Sequence, residues 1–196
     1  MPPPKSKSIP LRHHSFPPVA LPDARVLILG SMPGVESLRR QQYYAHPRNG
    51  FWPILGDLLG FDPGLPYAAR TARLAASGIA LWDVLASCER QGSLDAHIRQ
   101  GEANDFLAFF RCHPRIRVIF FNGSTAATLF RRRVWPELSR EFPHLELCQL
   151  PSTSPAHAGL SLKAKLEAWK TVAEKAREEG TKAQRHKGTK GNANAG

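Results

Sequence analysis

A chain of 196 residues with 42% hydrophobic content is long and apolar enough to bury one core, which predicts a single domain. No apolar run approaches the length of a membrane helix and residues 1–8 lack the apolar stretch of a secretory signal, so the expected setting is the cytoplasm, away from membranes. A net charge of +11 and a pI of about 10.1 argue against a polycationic partner and for a polyanion, of which nucleic acid is the usual one.

Residues 1–20, rich in proline and basic groups, are expected to be flexible. Residues 21–178 are expected to form the domain. Residues 179–196 are expected to be a disordered basic tail, since 180–196 holds four basic residues and no acidic one. The first strand is expected at 26–29, a short β-branched and Leu run that ends at Gly30. Ser31, Met32, Pro33 and Gly34 then form a turn. In open α/β sheets ligands bind beyond the carboxyl ends of strands, which places a pocket at this turn. It is not a phosphate loop, because no Gly-Lys-Ser/Thr follows, and G-x-G-x-x-G is absent.

Tyr43, Tyr44, His46, Arg48 and Asn49 then share one loop, able to stack on a flat ligand and hydrogen-bond its edge. A helix follows over 51–60, with 51, 54, 55, 58 and 59 on one face. Pro53 fits only its first turn, so the helix starts near 50–52. A second helix is expected near 66–76, a second strand at 79–84 and a helix at 104–111. The third strand, 118–121, leads into Asn122 and Gly123, with Ser124 expected to cap a helix over 125–133. The fourth strand, 145–150, opens into the loop 151–160. Ser161 is expected to cap a final helix that buries Leu162, Leu166, Trp169, Val172 and Ala176. Alternation of β and α predicts an α/β fold, a parallel sheet with helices on both faces.

Cys88, Cys112 and Cys148 are odd in number and widely spaced, which suits a reducing compartment and excludes a four-cysteine iron–sulfur cluster. No metal-ligand spacing is present, and no cofactor or metal is expected. Ser154 and His157 do not make a hydrolase pair, because the G-x-S-x-G elbow is missing.

The glycine turn together with Ala45-His46-Pro47-Arg48-Asn49-Gly50-Phe51-Trp52 resembles the uracil-DNA glycosylase superfamily. The Gly-Ser-Met-Pro-Gly turn with Tyr43-Tyr44 looks most like the hypoxanthine-DNA (deoxyinosine) glycosylase branch, as do Trp82-Asp83-Val84 and the run from Cys88 to Asp95. The resemblance covers roughly residues 20–175. It implies a three-layer α/β/α sandwich around a four-stranded, mostly parallel sheet. It also implies a monofunctional glycosylase that excises deaminated bases, hypoxanthine or uracil, from double- or single-stranded DNA, acting as a monomer.

Residue by residue, the resemblance places the base against Gly30, Ser31, Met32 and Pro33, with Tyr44 as the stacking aromatic and Asn122 reading the base edge. Met32 stands where the mismatch-specific branch has its catalytic asparagine, and Met cannot position a water. The catalytic residue is therefore expected at Asn49, as in the hypoxanthine branch; the alternative is that Asn49 only caps the next helix. The loop 151–160 matches the motif that enters the minor groove. Ser152 and Ser154 are expected to hold phosphate, and His157 or Leu160 to fill the gap left by a flipped base. Asp83 is read as a structural residue. Two other readings stay open: a catalytically silent module that binds damaged DNA, and a nucleoside or nucleotide hydrolase.

Overall fold

The computed structural model describes residues 12–190, with side chains through residue 181. In chain order the elements begin with β1 (Arg12–His14), β2 (Val26–Gly30), α1 (Val35–Arg40), α2 (Phe51–Leu59) and α3 (Tyr67–Ala76). Then come β3 (Ile79–Asp83), β4 (Leu85–Glu89), a 3-10 turn (Asp95–His97), β5 (Arg99–Ala103) and α4 (Phe106–Cys112). The last are β6 (Val118–Asn122), α5 (Ser124–Arg133), α6 (Trp135–Glu141), β7 (Glu146–Leu150) and α7 (Leu162–Lys190).

The main sheet has the order β3-β2-β6-β7, and all three pairings are parallel. β2 and β3 are buried along their whole length, which is why they read as unbroken apolar runs. Helices flank this sheet in two groups. Phe51 of α2 meets Trp169 of α7 edge-on at 5.9 Å, and Trp52 meets Tyr67 of α3 at 6.0 Å. Phe106 of α4 meets Phe130 of α5 at 5.2 Å and lies as far from Trp82 of β3. The fold is thus the expected three-layer α/β/α arrangement, with all four strands of the main sheet parallel.

A second, antiparallel sheet, β1-β4-β5, was not expected from the sequence. Its first strand corrects the expectation of a flexible segment over 1–20. Arg12–His14 pairs with β4, and Val19 bridges Leu81. The backbone of Phe16 accepts from Trp82 Nε1 at 3.0 Å and from the Tyr43 hydroxyl at 3.2 Å. These bonds strap residues 12–19 onto the domain; residues 1–11 lie outside the described part. At the other end, α7 carries helix through Lys190, where a disordered tail from 179 was expected. Ala173 and Ala176 are buried, Arg177 donates to the Leu58 carbonyl, and the Ala-, Glu-, Lys- and Arg-rich sequence favours helix. Residues 191–196 are outside the described part.

The starts of α2 and α7 follow the sequence and that of α5 does not; α1 and α6 were not expected, and Leu162, expected on the buried face of α7, is 53% exposed because it stands at the helix's first residue. α2 begins at Phe51 with Pro53 in its first turn, and the Ser161 hydroxyl accepts from Ala164 N at 3.2 Å at the start of α7. Ser124, expected as a cap, is instead the first residue of α5, and Gly123 occupies the cap position with φ of +100°. A side chain there would be strained, and its Cβ would sit 3.0 Å from Ser152 Cβ. This close approach brings the loop after β7 against the end of β6.

Candidate active site

The carboxyl ends of β2, β3, β6 and β7 open into one cleft of about 520 Å³. Of the residues singled out in the sequence, Gly30, Ser31, Met32, Pro33, Tyr44, Asn49, Asn122, Ser152, Ser154 and His157 all line it. Leu160 does not; it stands 43% exposed at the end of its loop.

The floor is set by strand register. Gly30 pairs with Asp83, and Asn122 follows the Leu29–Phe121 pair on the other side. Tyr44 crosses above Gly30. A Cβ at Gly30 would lie 2.4 Å from Asp83 Oδ1 and 2.9 Å from the Tyr44 hydroxyl, so only glycine admits both. Tyr44 has φ of +54°, rare for a bulky residue, and its ring stacks on Phe51 at 3.9 Å. Its hydroxyl is buried beside Asn122 without a well-formed hydrogen bond. Burial pushes its pKa upward, with the Asp83 carboxyl adding to the effect, so the phenol stays neutral. One residue thus combines an unusual backbone with an unpaired buried hydroxyl, a pairing of costs typical of functional sites.

Asp83, read from sequence as structural, also lines the cleft. Its Oδ2 accepts from Ser15 at 2.8 Å, and its backbone carbonyl accepts from Asn104 Nδ2. Burial lifts its carboxyl to about 7 and nearby Asp95 adds to the rise, while the Ser15 bond and Arg90 oppose it. It serves as a structural link to the N-terminal strap and as part of the floor.

Asn49 sits where the loop enters α2. Its Oδ1 accepts from Phe51 N at 3.0 Å, so the capping alternative holds in part, although the formal cap position is Gly50. The same bond fixes the amide at the cleft wall, and Oδ1 keeps a second lone pair. His46 folds back locally, its Nδ1 accepting from Arg48 N at 3.2 Å.

Asn122 is clamped by the opposite wall. Thr153 N donates to its Oδ1 at 2.8 Å, and its Nδ2 donates to Thr153 Oγ1 at 2.9 Å. Because a backbone N–H is only a donor, the amide orientation is fixed, leaving one Nδ2 hydrogen uncommitted by Thr153. Thr153 O also accepts from Gly50 N at 3.0 Å, which joins the two walls. Ser152 Oγ accepts from Ser154 N and Ser154 Oγ from Ala156 N, both at 3.2 Å, so these hydroxyls brace the loop. Beyond residue 154 the loop is exposed. Lys165 reaches it from α7, donating to His157 O at 2.8 Å; burial lowers this lysine's basicity.

The Ser31 hydroxyl, expected against the base, donates instead to Asp95 Oδ1 at 2.7 Å. Ser93, Leu94 and Asp95 form a wall of the cleft that the sequence reading did not assign. The one signal for it was the Cys88–Asp95 run, which carried a resemblance but no role. No group of three or more His, Cys, Asp or Glu among the described residues could hold a metal ion.

The model of the uracil DNA glycosylase superfamily matches residues 17–173. A hypoxanthine DNA glycosylase of Methanosarcina acetivorans is 36% identical over 158 residues, which is 80% of this chain and 95% of the relative. One from Methanosarcina barkeri is 39% identical over 114 residues, 58% of this chain and 72% of the relative. The solution NMR structure of a candidate uracil DNA glycosylase from Methanosarcina acetivorans superposes with a TM-score of 0.72 at 34% identity, covering 85% of this chain and 99% of that one.

Proposed function

Because the chain belongs to the uracil DNA glycosylase superfamily, we propose that it is a monofunctional DNA glycosylase for deaminated bases, hypoxanthine first and uracil second. The observation that carries this reading is the convergence of Gly30, Tyr44, Asn49 and Asn122 on one cleft at the end of the parallel sheet. A base inside a duplex is out of reach of such a cleft, so the nucleotide is flipped into it. The Tyr44 ring, backed by Phe51, offers a flat surface for the base. The Nδ2 hydrogen of Asn122 that Thr153 does not take, beside the Tyr44 hydroxyl, suits a keto oxygen on the base edge, where negative charge grows as the glycosidic bond breaks. Asn49, held by Phe51 N, presents a lone pair to an attacking water. An amide is no base at neutral pH, so its contribution is positioning.

The loops 30–50, 122–124 and 151–160 contain no lysine, so no amine in them can form a Schiff base with the sugar. The product is then an abasic site in an intact strand. The test is a labelled duplex with one inosine or one uracil. Strand breaks are expected only after alkali, faster for inosine, and borohydride should trap no covalent adduct. An uncut inosine duplex after alkali would overturn the reading. Met32 favours a second reading, a silent module that binds the lesion; binding without base release would support it.

A further inference from the structure

Hydrolysis of an N-glycosidic bond builds positive charge on the sugar and needs an acceptor for the proton of water. Asn49 provides neither a charge nor a base. Three carboxylates line the cleft: Glu36, Asp83 and Asp95. Glu36 is bound by Arg39 and Arg40, which hold it well below the usual range, at about 2. Asp83 is 3% exposed, with one oxygen given to Ser15. Burial favours its neutral form, and so enclosed a carboxyl presents little surface to a sugar.

Asp95 differs from both. It enters from the β4–β5 connection, 64 residues from Ser31 in sequence, and its Oδ1 accepts the Ser31 hydroxyl at 2.7 Å. Behind it lies Arg90, whose side chain is fully buried, with NH1 3.9 Å from the same oxygen. Arg90 NH2 donates to the Pro33 carbonyl, and Ser93 Oγ accepts from Val35 N at 2.9 Å. These contacts fasten the loop to the glycine turn on both sides of the carboxylate. The Asp95 side chain nevertheless stays 38% exposed on the cleft wall. A charged group fixed by buried partners yet open to a pocket is arranged to meet something in that pocket.

We propose that Asp95 is a catalytic carboxylate of this site, facing the sugar and taking the proton of the attacking water. The inference rests on the glycosylase reading. In the step, the C1′–N bond breaks and its electron pair leaves with the base. The water oxygen bonds to C1′ while one of its protons passes to Asp95. The base anion takes a proton from solvent, and the Asp95 proton returns to solvent. Asn49 holds the water, and Asp95 supplies the charge that an amide lacks.

The test is single-turnover base release from an inosine duplex, with lesion binding and melting temperature measured alongside. Asp95→Asn should lower the rate at least about a hundred-fold with binding unchanged. Asp95→Ala should show the same loss and regain activity with added formate, but not with chloride, since only a small carboxylate can replace the missing group. Ser31→Ala, which frees Asp95 without removing it, should give a smaller loss. Release by Asp95→Asn within a few-fold of wild type would overturn the proposal. So would an Asp95→Ala loss that formate does not relieve; that arm also decides the case if Asp95→Asn melts early. If the wild type releases no base from any deaminated duplex, the glycosylase reading falls and this proposal with it.

Discussion

The two walls of the cleft are built on opposite terms. The wall from Gly30 to Phe51 is tight. Its turn residues Ser31 and Met32 are 8% and 6% exposed, Gly30 has no room for a Cβ, and Tyr44 holds a left-handed backbone with a buried, unpaired hydroxyl. The wall from Pro151 to Leu160 is bonded to the other elements mainly along its first half, with Lys165 holding His157 O beyond it. Thr153 grips Asn122 and Gly50, and Trp169 Nε1 donates to Pro151 O at 3.0 Å. From Pro155 to Leu160 every residue is exposed. A group that must meet a reacting atom needs fixed geometry, because small displacements cost much of the rate. A segment that enters a groove needs to project and adapt. Changes in the first wall should therefore strike chemistry or stability, and changes in the second should strike binding.

The sharpest test is Asn49→Ala. It removes the amide at the cleft wall and the bond to Phe51 N. Loss of one preorganised group costs about 2.7–4 kcal/mol in the transition state, or about a hundred- to thousand-fold in rate. Lesion-duplex affinity should stay near wild type. Single-turnover release compared with binding by anisotropy checks this, and wild-type release by the variant would remove Asn49 from catalysis.

Gly30→Ala comes next. Its Cβ would fall 2.4 Å from Asp83 Oδ1 and 2.9 Å from the Tyr44 hydroxyl. Both neighbours are confined, so about 2–3 kcal/mol of stability should be lost to overpacking. Denaturant unfolding measures it. A loss of only a few tenths would mean that the floor is looser than these contacts imply.

The third test uses pH on Asp83. Its carboxyl is raised from the ordinary 3.8 to about 7, chiefly by burial. Above 3.8 the unfolded chain gives up this proton while the native state keeps it. The contribution is therefore fully present below 3.8, declines as pH rises, and is gone above about 7. Asp83→Asn has no such titration. The melting temperature of wild type minus that of the variant should fall by roughly 5–10 degrees between pH 5 and 8, corresponding to about 2–3 kcal/mol. A difference that stays flat over this range would show that Asp83 is not held neutral. The groups around it, Ser15, Tyr43, Tyr44, Arg90 and Asp95, are untouched by the substitution.

What the sequence disclosed divides along the same line. The parallel strands were legible because burial on both faces leaves unbroken apolar runs such as Val26–Gly30. The antiparallel sheet was not, since Arg12–His14 and Arg99–Ala103 are polar strands at its edges with no apolar period. β4 follows β3 after a single residue, Val84, so 79–89 offers no turn signal between them. Tyr44 and Asn49 were legible as parts of one local motif. Asp95 was not, because its meaning lies in a hydrogen bond to Ser31 across 64 residues. Tyr44's unpaired hydroxyl is likewise a fact of packing that no local pattern carries.

The smallest effect should come from the open wall. Leu160 is 43% exposed and lies outside the cleft lining. If it wedges into the stack left by a flipped base, its worth is the apolar surface that it buries there. Leu160→Ala removes three carbons that are only partly covered, so about 1 kcal/mol of lesion binding should be lost, roughly five-fold in affinity. Folding stability should not change, because the side chain packs on little in the free protein. Release at saturating enzyme should also hold, since the first wall is intact. Binding to an inosine duplex, with undamaged duplex as control, separates the outcomes: the loss should appear mainly on the lesion, where a gap exists to fill. An equal loss on both duplexes would make Leu160 a general contact, and no loss on either would leave His157, the other side chain that projects from this loop, as the wedge.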